Sequence, residues 1–322
     1  METFYNNVFQ YQETALRLQN DSCEYSLQPF YFLSVKHRTT TLTEKTCKME
    51  NLNALLNINA NYFIIGLIVV FFTLEQILTT PSQFKKTSMH LAQNALFQII
   101  FVICNIFFAT FQVYCIDWLN DNHFGLLYLF QLPVWAKLII GVAFYDITTY
   151  WIHRSAHKVP LLWRFHRVHH SDTALDSSTF FRSHPIELIF VFGMGNILTA
   201  AVFGTDVLSM ALYYFILNIF LFLEHSNIHY PVWLDKTMGW ILVTPNQHKV
   251  HHEQDQHYTD SNFADIFILW DRIFGTYKYK LLKNIRYGLI EFNEERKQTF
   301  LYLIKSPFLT IKRVKSDELK NH

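Results

Sequence analysis

The 322-residue chain is 51% hydrophobic and 17% aromatic, with 31 Phe, yet only 16% charged. Soluble domains carry roughly 25% charged residues, so the balance leans toward a membrane. A net charge of +1 gives no attraction for nucleic acid, and the four cysteines (Cys23, Cys47, Cys104, Cys115) form no CxxC pair, which leaves neither a disulfide framework nor a thiolate metal site supported.

Residues 1–48 mix polar and aromatic side chains without the basic and apolar blocks of a signal peptide. They read as a tail of uncertain status, with Met49 of MENLNALLN as a candidate start. Residues 49–131 hold two predicted spans, Tyr62 to Leu78 and Leu96 to Ile116, the second being 21 residues without a charge. A third stretch, Leu132 to Trp151, is apolar except for Lys137 and Asp146. Leu188 to Phe203 and Val207 to Leu223 follow as a hairpin divided by GTD, so that residues 132–280 read as the catalytic domain. Residues 281–322 read as a cytoplasmic C-terminal tail whose KSPFLTIKRVK segment suits headgroups, a protein donor or plain solvent. Five such stretches argue against buried helices of a soluble protein. The expected fold is an all-α integral membrane protein, with about five membrane-embedded helices and a cytoplasmic histidine-rich helical cap. Lys85 and Lys86 lie in the first connection, and the acidic DWLNDNHFG forms the second. The positive-inside rule then places every dense histidine cluster on the cytoplasmic side.

Eleven of the sixteen histidines lie between positions 153 and 252. His153 and His157 are spaced i, i+4, and His166, His169 and His170 are spaced i, i+3, i+4, each set on one helix face. His225 and His229 repeat the first spacing, and His248, His251 and His252 the second. A lone HxxxH is more often a surface or core pair than a ligand pair, but four groups on one membrane face are hard to explain that way. Ten neutral imidazoles could saturate two metal ions, and imidazole suits Zn, Cu, Fe or Ni. HExxH, GxxxxGK[ST] and GxSxG are all absent. A transporter would keep its ligands near the bilayer midplane, whereas these sit at span ends. Asp146 and Tyr150 precede His153 on roughly its helix face and could support it, as could Glu187, Glu224 and Asn227 elsewhere. His184, before Pro185, suits a helix cap as well as a ligand.

The strings DITTYWIHRSAHKVPLLWRFHRVHHS, RSHPIE, FLEHSNIH, TPNQHKVHH and NFADIFILWDRIFGTY, from Asp146 to Tyr277, together resemble the fatty acid hydroxylase / sterol desaturase superfamily. The likeness is to bacterial-type members, with some to alkylglycerol monooxygenase. The resemblance implies a membrane enzyme that uses a non-haem di-iron centre and molecular oxygen to hydroxylate or desaturate a fatty acyl, sterol or other lipid. It implies His153, His157, His166, His169, His170, His225, His229, His248, His251 and His252 as iron ligands, and no catalytic residue beyond the metal centre. Trp270 to Tyr277 reads as structural, with Asp271 and Arg272 pairing locally. No HPGG motif of the kind carried by fused haem domains occurs in these residues, so the implied electron donor is a separate ferredoxin-like or cytochrome-like protein. The membrane would be the inner one in a bacterium and the endoplasmic reticulum in a eukaryote. Ether-lipid cleavage is the rival within the class, tested by pterin dependence. A metal transporter or membrane metal-binding protein is the rival outside it, tested by metal flux without lipid turnover.

Overall fold

The structure, a computed structural model, describes residues 60–78, 84–282 and 285–314. The expectations for residues 1–48, for a start at Met49 and for the end of the C-terminal tail lie outside the described residues. Among the described residues the helices that organise the fold are α1 Ala60–Leu78, α2 Phe84–Asp121, α3 Val134–Lys158, α4 Pro160–His170, α5 Gly193–Phe203, α6 Val207–His225, α7 Pro245–His251, α8 Leu269–Ile273 and α9 Phe300–Lys305, with two four-residue helices, Trp233–Lys236 and Gln256–Thr259, in the loops between them. No strand occurs among the described residues, and a single isolated bridge joins Glu253 and Tyr287.

The long helices run alternately up and down. At one end, Asn120 near the close of α2 donates to the carbonyl of Thr205 before α6 at 3.1 Å. At the other end, His90 near the start of α2 meets Asp172 just after α4. Glu75 near the end of α1 accepts from the backbone of Ser177 and of Asn227, which lies just past α6. The bundle therefore has a polar end and a far end. At the far end Gly125 (φ 104°) and Gly204 (φ 74°) press backbone to backbone. A Cβ on Gly125 would sit 2.0 Å from the Gly204 nitrogen, so neither position tolerates a side chain.

Two stretches, Ser88–Leu129 and Val207–His225, are long and apolar enough to cross a membrane, and Tyr62–Leu78 and Glu187–Phe203 are shorter apolar helices. The outward face of α2 supports that reading, since Phe107 is 84% exposed and Ile103 59%. Rows of bare aliphatic and aromatic side chains suit lipid far better than water. The predicted second span, Leu96 to Ile116, is the middle of a 38-residue helix. Its apolar run carries the exposed hydrophobic side chains, while polar residues such as His90 and Asn94 carry the helix on to the polar end.

The core joins α2, α3, α5 and α6 through Ile116, Val142, Tyr145, Ala200, Tyr213 and Leu217. A second core packs Phe97 and the α4 residues Trp163 and Val168 against Leu289, Phe292 and Leu303. The stretch read as a tail is thus bound to the body through this core. Arg167 donates to the carbonyls of Ser306 and Ile311, and Gln298 donates to those of Ser171 and Phe292. These apolar residues fall in short turns without a helical period, which hid them beside the obvious charges.

Candidate metal centre

Three helices and one helix end bring the histidines to the polar end of the bundle. α3 runs straight through HRSAHK to Lys158, and Val159 turns the chain so that Pro160 opens α4. Pro at the first helical turn loses no hydrogen bond. α7 has only seven residues and is held by a reciprocal cap, with Thr244 Oγ1 accepting from Gln247 N and Gln247 Oε1 accepting from Thr244 N. Such a cap fixes a helix too short to persist alone. α6 delivers His225 at its last residue.

Two buried groups result. His153, His157, His166, His170 and His251 bring one ring nitrogen each to within 4.8 Å of one another, as do His169, His225, His248 and His252. The facing atoms are Nε2: His157 to His170 3.1 Å, His170 to His166 3.1 Å, His225 to His169 3.2 Å, His248 to His225 3.1 Å, and His252 to His248 3.1 Å.

The outward nitrogens identify the tautomers. His153 Nδ1 donates to the carbonyl of Phe263 at 2.8 Å, His251 Nδ1 to that of Ser261 at 2.6 Å, and His225 Nδ1 to that of Leu221 at 2.7 Å. A carbonyl only accepts, so each of these Nδ1 atoms carries its proton and each neutral ring presents a bare Nε2 inward. His166 Nδ1 is 2.7 Å from Glu187 Oε1, and His157 Nδ1 is 3.3 Å from Asp260. His248 Nδ1 lies 3.2 Å from Glu224 Oε2. The Nε2 atoms of His153 and His251 find no hydrogen-bond partner although buried. Bare lone pairs at 3.1 Å repel, and buried polar atoms without partners are costly. Cations between them would remove both penalties, so this donor set fits metal ions.

Protons are poor substitutes. Burial, reinforced by neighbouring His166 and His251, holds His157 well below its ordinary range. Burial likewise drives His251 down to about 3, despite its hydrogen bond to Ser261. His157 and His251 therefore remain neutral at physiological pH, the form in which imidazole binds metals.

Several sequence expectations require correction. His229 joins neither group and is exposed. The helix ends at His225 and Ser226 turns extended (φ −56°, ψ 139°), so the i, i+4 spacing no longer brings the two rings together. Asn227 is exposed on the same loop, and its backbone N–H, rather than its side chain, is engaged, by Glu75. His184 is buried with Nδ1 accepting from Ile186 N and Nε2 donating to the carbonyl of Ile304, the cap reading. Asp146 accepts from Phe267 N and Trp270 Nε1 and does not reach His153; seven residues put it about 10 Å away along the helix. Tyr150 pairs with Thr276 and stacks on Phe274. Asp271 does not pair with Arg272. It accepts from Phe263 N, Ala264 N and Thr276 Oγ1, while Arg272 lies over the rings of Trp240 and Tyr277.

Sequence reasoning passed over three supports. Asp260 stands behind His157, and the carbonyls of Ser261 and Phe263 stand behind His251 and His153. The third is a clamp in which His90 Nε2 is 2.8 Å from Asp172 and Nδ1 is 2.8 Å from Asp176. Carboxylates on both ring nitrogens make His90 an imidazolium that ties α2 to the residues just after α4. The two aspartates of HHSDTALD were the visible signal.

Fold and site together define a class: an all-helical protein with membrane-length helices and, at one end of them, a buried histidine cage able to hold metal ions. Residues 138–276 match the family model described as fatty acid hydroxylase. That stretch has the pattern of a fatty acid hydroxylase domain, and the relatives it matches fall in one superfamily, the one its histidine motifs resemble. It is 30% identical to alkylglycerol monooxygenase of Homo sapiens over 194 residues, covering 58% of this chain and 40% of the relative. It is 28% identical to an ornithine lipid hydroxylase of Rhizobium tropici, covering 46% and 43%. Identity to a very-long-chain aldehyde decarbonylase of Oryza sativa subsp. japonica is 29%, covering 60% and 73%. The chain thus spans well under half the length of the first of these relatives. No solved structure matches it.

Proposed function

We propose that this chain is an oxygen-dependent lipid oxidoreductase with two irons, hydroxylating a C–H position of a membrane lipid in preference to desaturating it. The carrying observation is the pair of buried imidazole groups with their Nε2 atoms turned inward. His153, His157, His166, His170 and His251 would hold one iron, and His169, His225, His248 and His252 the other. When bound, the iron pair supplies the activation of dioxygen that an unreactive C–H bond requires. The protein's own part is to hold nine buried rings, to fix His153, His225 and His251 with a bare Nε2 inward, to keep water out and to present the site beside lipid. Glu187 and Asp260, with the carbonyls of Leu221, Ser261 and Phe263, hold the rings from behind.

In this reading five stretches are membrane-embedded, the cage faces the cytoplasm, and a separate ferredoxin-like or cytochrome-like protein delivers electrons. Ether-lipid cleavage is a second reading, supported by the identity to alkylglycerol monooxygenases from several animals. The test is metal content after anaerobic purification in detergent with ferrous iron supplied. Two irons per chain with an oxygen-sensitive ferrous signal are expected, and His169→Ala should lose lipid oxidation while staying in the membrane. Zinc alone, with no iron taken up on reconstitution, would overturn the proposal.

A further inference from the structure

Just past α6, the chain folds over the polar end of the bundle and leaves a cleft of about 310 Å³. Its walls include Asn227, His229 and Tyr230 from this loop, Lys249 from the outer side of α7, and Tyr279 and Lys280 from the segment after α8. α7 therefore faces the cage with His248 and His251 and the cleft with Lys249.

Lys249 is 5% exposed, and its Nζ has two close partners: the carbonyl of Ile228 at 2.7 Å and the ring face of Tyr230 at 5.4 Å. Among the described residues no carboxylate lies within ion-pair distance of it; Glu75 attracts it only at longer range. The other charged side chains on the wall are already engaged, the Asp235 carboxylate by neutral donors only. Asp235 accepts from Thr244, Asn246 and Tyr279, and Lys280 pairs with Glu253. A buried ammonium without a counter-ion is unfavourable, and here it borders open space.

The rim of the cleft is apolar and aromatic. Val232, 40% exposed, and Leu281, 59% exposed, line it, and Trp233, 60% exposed, adjoins Val232 eight residues past the end of a helix of membrane-spanning length. A bare tryptophan at such a position marks the headgroup level of a bilayer. We propose that this cleft binds the phosphate of an anionic lipid headgroup, with Lys249 as its counter-charge and the chain of that lipid running along the rim. The inference rests on the reading of α6 as a span and names the substrate class of the neighbouring site as a phosphate-bearing lipid.

The full chain in detergent tests it with three probes: lysophosphatidic acid, lysophosphatidylcholine and inorganic phosphate, read by thermal shift and native mass spectrometry. Lysophosphatidic acid should bind and stabilise, the other two should not, and Lys249→Met should weaken that binding about tenfold or more. Equal stabilisation by inorganic phosphate would assign the site to a free anion and overturn the lipid reading. Equal binding of lysophosphatidylcholine, or no binding at all, would overturn the anion site. The three-probe comparison on the unaltered chain decides the matter even if Lys249→Met fails to fold. Iron content measured on the same preparation separates this result from the metal proposal. Lipid bound without iron uptake sinks only the proposed function, and iron uptake without lipid binding sinks only this inference.

Discussion

Glu187 stands 2.7 Å behind His166, so it fixes which nitrogen of that ring faces inward. Glu187→Gln keeps the shape but loses the charge, and metal retention should fall about tenfold to a hundredfold. Competition against a chelator measures this, and unchanged retention would remove Glu187 from the supporting set. Asp271 acts one step further out, since it holds the backbone of Phe263 whose carbonyl holds His153. Asp271→Ala would strand two buried N–H groups and a hydroxyl, at a cost of about 3 kcal/mol or more, visible as a lower Tm. At this scale the sequence told which rings share a helix face, because 3.6-residue periodicity is a local property. It could not reveal the carbonyls behind His153, His225 and His251, since every residue has one, and only tertiary packing selects Phe263, Leu221 and Ser261.

The helices were legible wherever their sequences are long apolar runs, and less so where polar residues continue them. α2 outruns its predicted span at both ends, and α6 stops at His225, a full turn before His229. The far-end contact of Gly125 with Gly204 sets how closely the loop before α3 approaches the α5–α6 turn. Gly204→Val should therefore push these segments apart, straining a left-handed residue as well, and the expected result is a lower Tm with the cage residues themselves unaltered. Phe292 is fully buried against α4. Its replacement by Ala should cost about 3–5 kcal/mol and loosen α4, so chemical unfolding and iron retention should decline together. Iron retained in full would mean that the C-terminal segment does not hold the helix bearing His166, His169 and His170.

On the scale of the whole molecule, the cage makes the metal-free protein sensitive to acid. A group whose folded pKa lies below its unfolded value contributes stability above the unfolded value, and that contribution is lost as pH falls toward the folded one. His251 drops from an ordinary 6.5 to about 3, and burial moves His153, His157, His169, His170 and His252 in the same direction. The metal-free chain should therefore lose Tm steadily as pH is lowered below about 6.5, and bound metal should shift the loss to lower pH. Thermal melts with and without chelator across that range check this; identical curves would mean that metal does not occupy the cage.

The two histidine groups also differ in when their parts leave the ribosome. Four of the five rings of one group are present once residue 170 has been made, but only His169 of the other, whose remaining three come at 225, 248 and 252. Between these dates the chain must lay down α5 and α6. The second pocket therefore cannot close until the last long helix is in place, and neither group is complete before residue 251. Any metal held by this cage would therefore enter late in synthesis, after both long apolar helices have been made.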